Sequence, residues 1–526
     1  MNTSHPLRVA HITSEIYPFS KTGGLGHAVA DLSTHIADAN VDVTVFTPLY
    51  GCVSKHLKNK LIETVLIDIP VKLDRSTSLT CSCVKYLQTT PLGNTITFYF
   101  VNHFDFFGRY SRNLYLHKDT PRRFLFFTRA VLEIMKTLQL QFDIMHCHDW
   151  MTGLFPQLAH EYLTKPQLKR MKTVLTIHNL AFQGSDQINL ARLSSLKQRA
   201  PVVHFPEFWD NHKWDRVNFL RQGIKYAHII TTVSPTYAKE ILSKYHGEGL
   251  SRYLNKHKPI YGIVNGINYA LYNPLNSDRI AQNYSSLNVS VGKQKNKERL
   301  LKKLSFPDTY ASWPMAFTNH RLTHQKRFDV LIASMKSLLK QHLILIIAGE
   351  GDKRYHDAFN MLEEKYPNFR FITPISDAFE QKLLAGGDIV LCPSVFEPCG
   401  TAHMKAMRYG VLPVARNTGG LADTIFNYDK SNTSGTGFLF KNNSSVSFLS
   451  TMRIALNLYI NNRERWNNLV IKCMNQSFDW DKSTQEYIAI YESLFEKKKI
   501  IDVSYSVGVG GLEPPTSRSQ TVHSTN

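Results

Sequence analysis

The chain lacks any apolar run long enough to span a membrane, which excludes a helical membrane protein and leaves the membrane off the list of expected partners. Its first residues run directly into "PLRVAHITSE". No charged-then-apolar leader and no small-residue cleavage site precede that stretch, so the expected location is the cytoplasm. Cysteine is sparse: seven residues are scattered over 526, with no paired framework and no CxxC spacing. Cys81 and Cys83 stand too close together to suggest a metal site alone, and thiols in a reducing compartment are expected. Acids are short as well, 42 against 62 lysines and arginines, for a net charge of +20. Such an excess favours anionic partners, among them nucleic acid, phosphorylated metabolites or an acidic surface. No zinc finger, basic-region helix or aromatic RNA-binding signature accompanies it, so no nucleic-acid partner is expected. The charge is dispersed except in "GKQKNKERLLKKL" (292–304), whose leucines keep helical spacing and which reads as a solvated helix face.

What the chain does have is alternation, over a length that calls for two or three domains. Apolar runs recur at "RVAHIT", "VDVTVFTPL", "TITFYFV", "FDIMHC", "KTVLTIH" and "AHIITTVS", as strands buried on both faces of a parallel sheet would. Between them lie helical patterns such as "PRRFLFFTRAVLEIMKTL", with Phe124, Phe127, Val131, Met135 and Leu138 on one stripe. After "IVNGINYALYNPLNS" and a lysine-rich interval the alternation restarts at "MAFTNHRL", "LILIIAGEG", "FRFITP", "DIVLCPS" and "VLPVAR". The expected fold is therefore α/β, with two doubly wound, Rossmann-like domains facing across a cleft. The expected divisions are 1–268, 269–479, a helix over 480–499 and a disordered tail over 500–526, whose "YSVGVGGLEPPTSRSQTVHSTN" has little to bury.

Polar residues end several strands, where they make poor core material. "HCHDW" supplies His148 and Asp149, "LTIHN" supplies His178 and Asn179, "IVNG" supplies Asn265 and Gly266, and "HRLTHQK" supplies Arg321 and Lys326. One such residue is an ordinary satisfied polar group; several together indicate a cleft site. "KTGGLGHAVADL" sets Lys21 beside Gly23 and Gly24 at a helix start. "FEPCG" sets Glu397 before a Pro and Gly that open another, where free N–H groups bind anions. "NTGGLADT" repeats the glycine-then-helix device. Glycine loops in both halves, with an Arg and a Lys, point to a bridged phosphate ligand.

With "FFGR", "TIHNLAFQG", "TTVSPTYAKEI", "GIVNGIN" and "RYGVLPVARNTGGLADT", these stretches run in family order from about residue 7 to 497. The chain resembles the bacterial glycogen synthases and plant starch synthases, retaining glucosyltransferases of GT-B architecture. "HCHDW", "TIHNL" and "RLTHQK" resemble the starch synthase III and IV branch. The resemblance implies glucosyl transfer from ADP-glucose to the 4-hydroxyl of a growing α-1,4-glucan, glycogen or starch, with no cofactor and no metal. It gives Lys21 and the backbone of Gly23 and Gly24 the donor phosphates, with Arg321 and Lys326 clamping the same diphosphate from the other domain. Glu397 would hold glucose hydroxyls and support charge on the sugar. Asp149, His178 and Asn265 would line the glucose region. Glu15 would be a cleft acid, and Cys399 and Gly400 would flank Glu397 at the nucleotide sugar. For Cys399 a small apolar filler is an equal alternative.

Departures from the family pattern gather in the cleft. His27 replaces an aspartate of "GLGD", and Ala402 and His403 replace a hydroxyl and an amide. Lys405 follows Glu397 by eight residues, Ile375 stands where an aromatic commonly stacks, and Met151 replaces a frequent histidine. Two functions remain open at this point: an active synthase, with ADP-glucose or another nucleotide-glucose as donor, and a weak or inactive glucan-binding paralogue.

Overall fold

The computed structural model describes residues 6–496, apart from 58–59, 61, 74–76, 113, 116–118, 187–208, 211–212 and 432–433. The expected tail, 500–526, lies outside the described residues. Every apolar run named above forms a strand. Six of these strands belong to a nine-stranded sheet running Ile260–Gly262, Ile229–Thr232, Lys172–Ile177, Ile144–His148, Arg8–Ile12, Asp42–Pro48, Thr95–Asn102, Ser78–Thr89 and Ile62–Lys72. Pairing is parallel from Ile260–Gly262 through Thr95–Asn102 and antiparallel for the last two strands. That edge hairpin was not legible in the sequence. Much of Ile62–Lys72 is exposed, and so it has neither a continuous apolar run nor a clean alternation.

The second sheet is wholly parallel, in the order Phe369–Ile372, Ile344–Ala348, Met315–Thr318, Ile389–Cys392, Leu412–Arg416 and Phe438–Phe440. A small antiparallel sheet joins Ser185–Asp186, Lys213–Asn218 and Trp209–Asp210. Both large sheets start in the middle; the second winds outward both ways, and the first does so except that beyond Asp42–Pro48 it is filled from the edge inward, Ile62–Lys72 first and Thr95–Asn102 last. In the first sheet the winding reverses between Arg8–Ile12 and Ile144–His148. In the second it reverses between Met315–Thr318 and Ile389–Cys392. Beyond the C-terminal ends of strands at such a reversal, flanking loops part and leave a crevice. Glu15 and Asp149 follow the first pair of strands; Arg321, Lys326 and Glu397 follow the second.

Each sheet has its own apolar core, and the chain's last described helix crosses between them. Trp480, Tyr487, Ile490 and Tyr491, from the start and body of helix Asp481–Ser493, join the core of the first sheet. Two expectations about helices are corrected. Helix Thr120–Thr137 is buried nearly all round, including Thr128 and Arg129, because it packs between strand Ile62–Lys72 and helix Phe155–Tyr162. The lysine-rich helix, Val289–Lys303, is not simply solvated. Its buried face carries Lys293 and Lys297, each with a partner. Lys297 pairs with Asp388 at 2.6 Å, and Lys293 donates to the carbonyls of Leu384, Ala385 and Tyr409 at 3.0–3.4 Å. Burial lowers the Lys293 amine to about 7. Asp388 also accepts the Met315 amide at 2.8 Å, at the start of a central strand. Removing one member of such a buried pair strands the other. Asp388→Ala should therefore remove about 3–5 kcal/mol of stability, read as a fall in the denaturation midpoint.

Candidate active site

On the first sheet the site begins with a carboxylate that ties a loop. Glu15 is buried, and both of its oxygens are occupied. One accepts from the Thr22 amide and hydroxyl at 2.6 Å each, the other from the Gly26 amide at 3.1 Å. The sequence placed Glu15 among the nucleotide-sugar contacts; the geometry makes it the clasp of loop 21–26. A side chain at Gly26 would crowd the Ser20 carbonyl and Lys21, at 3.1 and 3.3 Å, so the clasp is closely packed around this glycine. Gly23 and Gly24 instead face open space, and no described group accepts from their amides. They begin helix Gly24–Asp38, whose positive end adds to the exposed N–H groups as an anion site.

On the second sheet Glu397 is buried and forms an ion pair with Lys326, while its Oε2 also accepts from Ser394 at 2.9 Å. Gly400 begins helix Thr401–Arg408 at φ 83°, and a side chain there would meet Glu397 and His403 within 3.0 Å. Cys399 is buried, and burial pushes its thiol up to about 12, so it stays neutral. Arg321 is exposed and has no ion pair among the described residues. His403 faces inward: its Nε2 lies 2.5 Å from the Thr424 hydroxyl, and its Nδ1 is buried without a partner. Burial holds it neutral, near 3.

At the reversal of the first sheet, Asp149 adopts φ 58° and is buried. Its Oδ1 accepts the amides of His178 at 2.7 Å and Asn179 at 3.3 Å. Burial outweighs those bonds and raises the Asp149 carboxyl to about 7. His178 Nε2 lies 3.1 Å from Nδ1 of buried His148. Asn265 is buried, and its backbone reaches the Cys399 thiol, which links the two sheets at the site.

The two sides also touch, through partners that the sequence did not single out: Asp377, Glu240 and Asp423. Lys21 Nζ lies 3.2 Å from Asp377, which starts helix Asp377–Gly386 of the second sheet, and 3.5 Å from His27. His27 stacks on Tyr17 with ring centres 4.4 Å apart. Burial, then Lys405 and Lys21, lower it to about 4, so the histidine in the aspartate's place is neutral. Lys405 lies over Tyr272 at 3.9 Å and 3.7 Å from Glu380. Ile375 packs on the second core. The "NTGGLADT" turn is corrected: it is not an open anion site, because Glu240 of the first sheet already accepts from Thr418 at 2.9 Å and the Gly419 amide at 3.2 Å. Asp423 likewise accepts from the Thr236 amide and hydroxyl, at 2.9 and 2.6 Å. Both acids hold the sheets together. A glutamate six residues past a serine helix cap gave no sequence signal for this.

Known proteins are similar to this chain in sequence and fold. The sequence profile of the starch synthase catalytic domain matches residues 8–256, and that of glycosyl transferases group 1 matches 297–471. The chain is 36% identical over 509 residues to a glycogen synthase of Thermodesulfovibrio yellowstonii, covering 94% of this chain and 99% of that one. A glycogen synthase of Thermotoga maritima is 34% identical over 504 residues, covering 93% and 99%. Among solved structures, the catalytic domain of starch synthase IV from Arabidopsis thaliana, bound to ADP and acarbose, superposes with a TM-score of 0.84. It is 29% identical, with 93% of this chain and 99% of that one covered. A sucrose-phosphate synthase from Thermosynechococcus elongatus shares the fold, with a TM-score of 0.56 at 16% identity and coverage of 93% and 99%.

The raised carboxyl of Asp149 gives a stability signature. Its protonated form is favoured in the folded state, so that contribution is complete below the unfolded value of 3.8 and is lost as pH rises to about 7. Asp149→Asn should abolish this loss, so the variant should gain stability relative to the parent between pH 5 and 7.5. Parallel pH profiles of the melting temperature for the two proteins would contradict the assignment.

Proposed function

This chain belongs to the glycogen and starch synthase family of glycosyltransferases, and we propose that it transfers glucose from ADP-glucose to the 4-hydroxyl of an α-1,4-glucan with retention of configuration. The observation that carries the donor half is the loop 21–26. A lysine and two open glycine amides stand at a helix start, held there by Glu15 and aimed across to the second sheet. Starch synthase IV, which this chain resembles along nearly its whole length, binds ADP and acarbose, and this supports an adenine nucleotide and a glucan-like chain as ligands.

In the proposed reaction the acceptor 4-hydroxyl oxygen forms a bond to the anomeric carbon on the face from which the diphosphate leaves. The bond from that carbon to the phosphate oxygen breaks, ADP departs with the electron pair, and a phosphate oxygen takes the hydroxyl proton. Lys21 and the Gly23 and Gly24 amides would hold the diphosphate from one side, Arg321 and Lys326 from the other. Their stabilisation of the leaving group is then the main catalytic contribution. Lys326 is already paired with Glu397, so the carboxylate that meets the sugar and a cation that meets the phosphate are held as one unit. Asp149, His178 and Asn265 would line the glucose, with Cys399 as a neutral filler and Gly400 giving close backbone approach. Asp377 occupies Lys21 as a stand-in for phosphate. Closure around the donor would exclude water.

No described helix is long and apolar enough to cross a membrane, and all seven cysteines are free. We place the enzyme in the cytoplasm, where thiols stay reduced.

Purified protein incubated with glycogen and labelled ADP-glucose should incorporate label, and Glu397→Ala should not. Incorporation from neither ADP-glucose nor UDP-glucose, with glycogen still bound, would leave only a glucan-binding role. Lys21→Ala should raise the donor KM or lower kcat by about tenfold or more. Asp377→Asn, which frees Lys21, should lower the donor KM. Kinetics unchanged in both variants would remove Lys21 from the phosphate site.

A further inference from the structure

The centre of the first sheet holds a feature that the proposed reaction does not use. His11, from strand Arg8–Ile12, and His146 and His148, from the neighbouring strand, are all fully buried in an otherwise apolar layer. Each offers a nitrogen within 4.8 Å of the others, the spacing of a possible metal site. Their hydrogen bonds argue otherwise. His146 uses both nitrogens, Nδ1 with the Tyr491 hydroxyl at 2.7 Å and Nε2 with the Thr176 hydroxyl at 2.6 Å. His148 uses both as well, Nε2 with His11 Nδ1 at 3.0 Å and Nδ1 with His178 Nε2 at 3.1 Å. Only Nε2 of His11 is left over, buried and without a partner. One open nitrogen, with no carboxylate or thiolate beside it, does not hold an ion.

What remains is a line of three imidazoles, His11 to His148 to His178, running from the sheet centre to the end of strand Lys172–Ile177. Burial pushes the first and last to about 3 and the middle one well below its ordinary value, so all three are neutral and each carries one N–H. A line of this kind has two possible polarities. In one, every Nε2 carries the proton, and His11 then buries an N–H with no acceptor. In the other, every Nδ1 carries the proton, and the buried end is a lone pair. Orphaned buried N–H groups are the rarer and costlier defect. The second polarity points each proton toward His178, whose Nδ1 has no partner among the described residues.

We propose that His148 is a positioning residue for the transfer reaction: backed by His11, it donates from Nδ1 and fixes His178 as the Nδ1–H tautomer, a hydrogen-bond donor to an oxygen of the bound sugar. This rests on the reading of His178 as a residue lining the glucose region. The tautomer of one ring nitrogen is set by the bond that the other makes, so the buried histidine behind His178 chooses its role. A free neutral imidazole favours Nε2–H, so the arrangement runs against intrinsic bias and needs the buried donor at its root.

The test is a spectrum of the full chain with ¹⁵N-labelled histidine, in which long-range nitrogen–proton correlations report each tautomer. His178→Gln and His11→Leu supply the assignments. Nδ1–H is expected at both His148 and His178; Nε2–H at His178 overturns the proposal. Metal bound at one equivalent in the parent and lost in His11→Leu would also overturn it, in favour of an ion site. His148→Leu, which removes the donor to His178, should convert His178 toward Nε2–H and lower kcat about tenfold, with the donor KM within about twofold. His148→Gln, whose amide can donate to His178, should recover most of the rate. An unchanged kcat and tautomer in His148→Leu would refute the coupling. If the parent protein transfers no glucose, the functional reading fails while the spectrum still decides the polarity. If His148→Leu does not fold, His148→Gln beside the parent decides: both should show Nδ1–H at His178, and Nε2–H in either overturns the proposal.

Discussion

A carboxylate taken out of water must be met by donors, and this requirement organises the molecule. Glu15 is met by the amides and hydroxyl of loop 21–26, Glu397 by Lys326 and Ser394, and Asp149 by two backbone amides. Asp388 is met by Lys297 and a strand amide, and Glu240 and Asp423 by groups on the opposite sheet. Three of these acids shape the cleft, one anchors the second core, and two join the halves. Each bond answers the cost of desolvating a charge, and each also fixes a loop that apolar packing alone would leave free.

Both sheets place their winding reversals where the polar strand ends converge, so the fold delivers the candidate residues without any extended loop. On the first sheet the delivered groups are open amides and a cation; on the second they are an acid already paired with a cation. Charges of both signs thus face one another across the cleft before any ligand enters. The contact of Lys21 with Asp377 is the direct expression of that complementarity. Both residues are partly exposed, so the pair contributes little to stability and is easily exchanged.

The parallel strands were legible because burial on both faces leaves continuous apolar runs, as in "LILIIAGEG" and "KTVLTIH". The hairpin at Ile62–Lys72 and Ser78–Thr89 was not, since a largely exposed edge strand mixes polar and apolar residues without a clear period. Lysines 293 and 297 misled for a related reason: sequence carries their charge but not the partners that let them be buried. In the site, the strand-end residues and the glycine turns were visible from type and position. The job of Glu15 was not, because its partners are backbone amides. Asp377 was invisible because its partner lies 356 residues away. His11 resembled any core residue in a run of valine and isoleucine; only the strand pairing brings it to His148.

The chain passes between the two cores twice, once near Ile267 and again near Phe478, and the two passages are stitched together by a hydrogen bond of 2.8 Å from the Ile267 amide to the Phe478 carbonyl. Gly266 lies so close to Asp479 and Trp480 that no side chain fits between them. Two bodies joined by two adjacent covalent straps behave like a door on a single pivot. Such straps oppose sliding and separation most, and rotation about the strapped edge least. The greatest displacement then falls on whatever lies farthest from that edge. A small turn at the pivot becomes a large change in mouth width, so access for a bulky polymer and tight enclosure of a small donor follow from one angular coordinate.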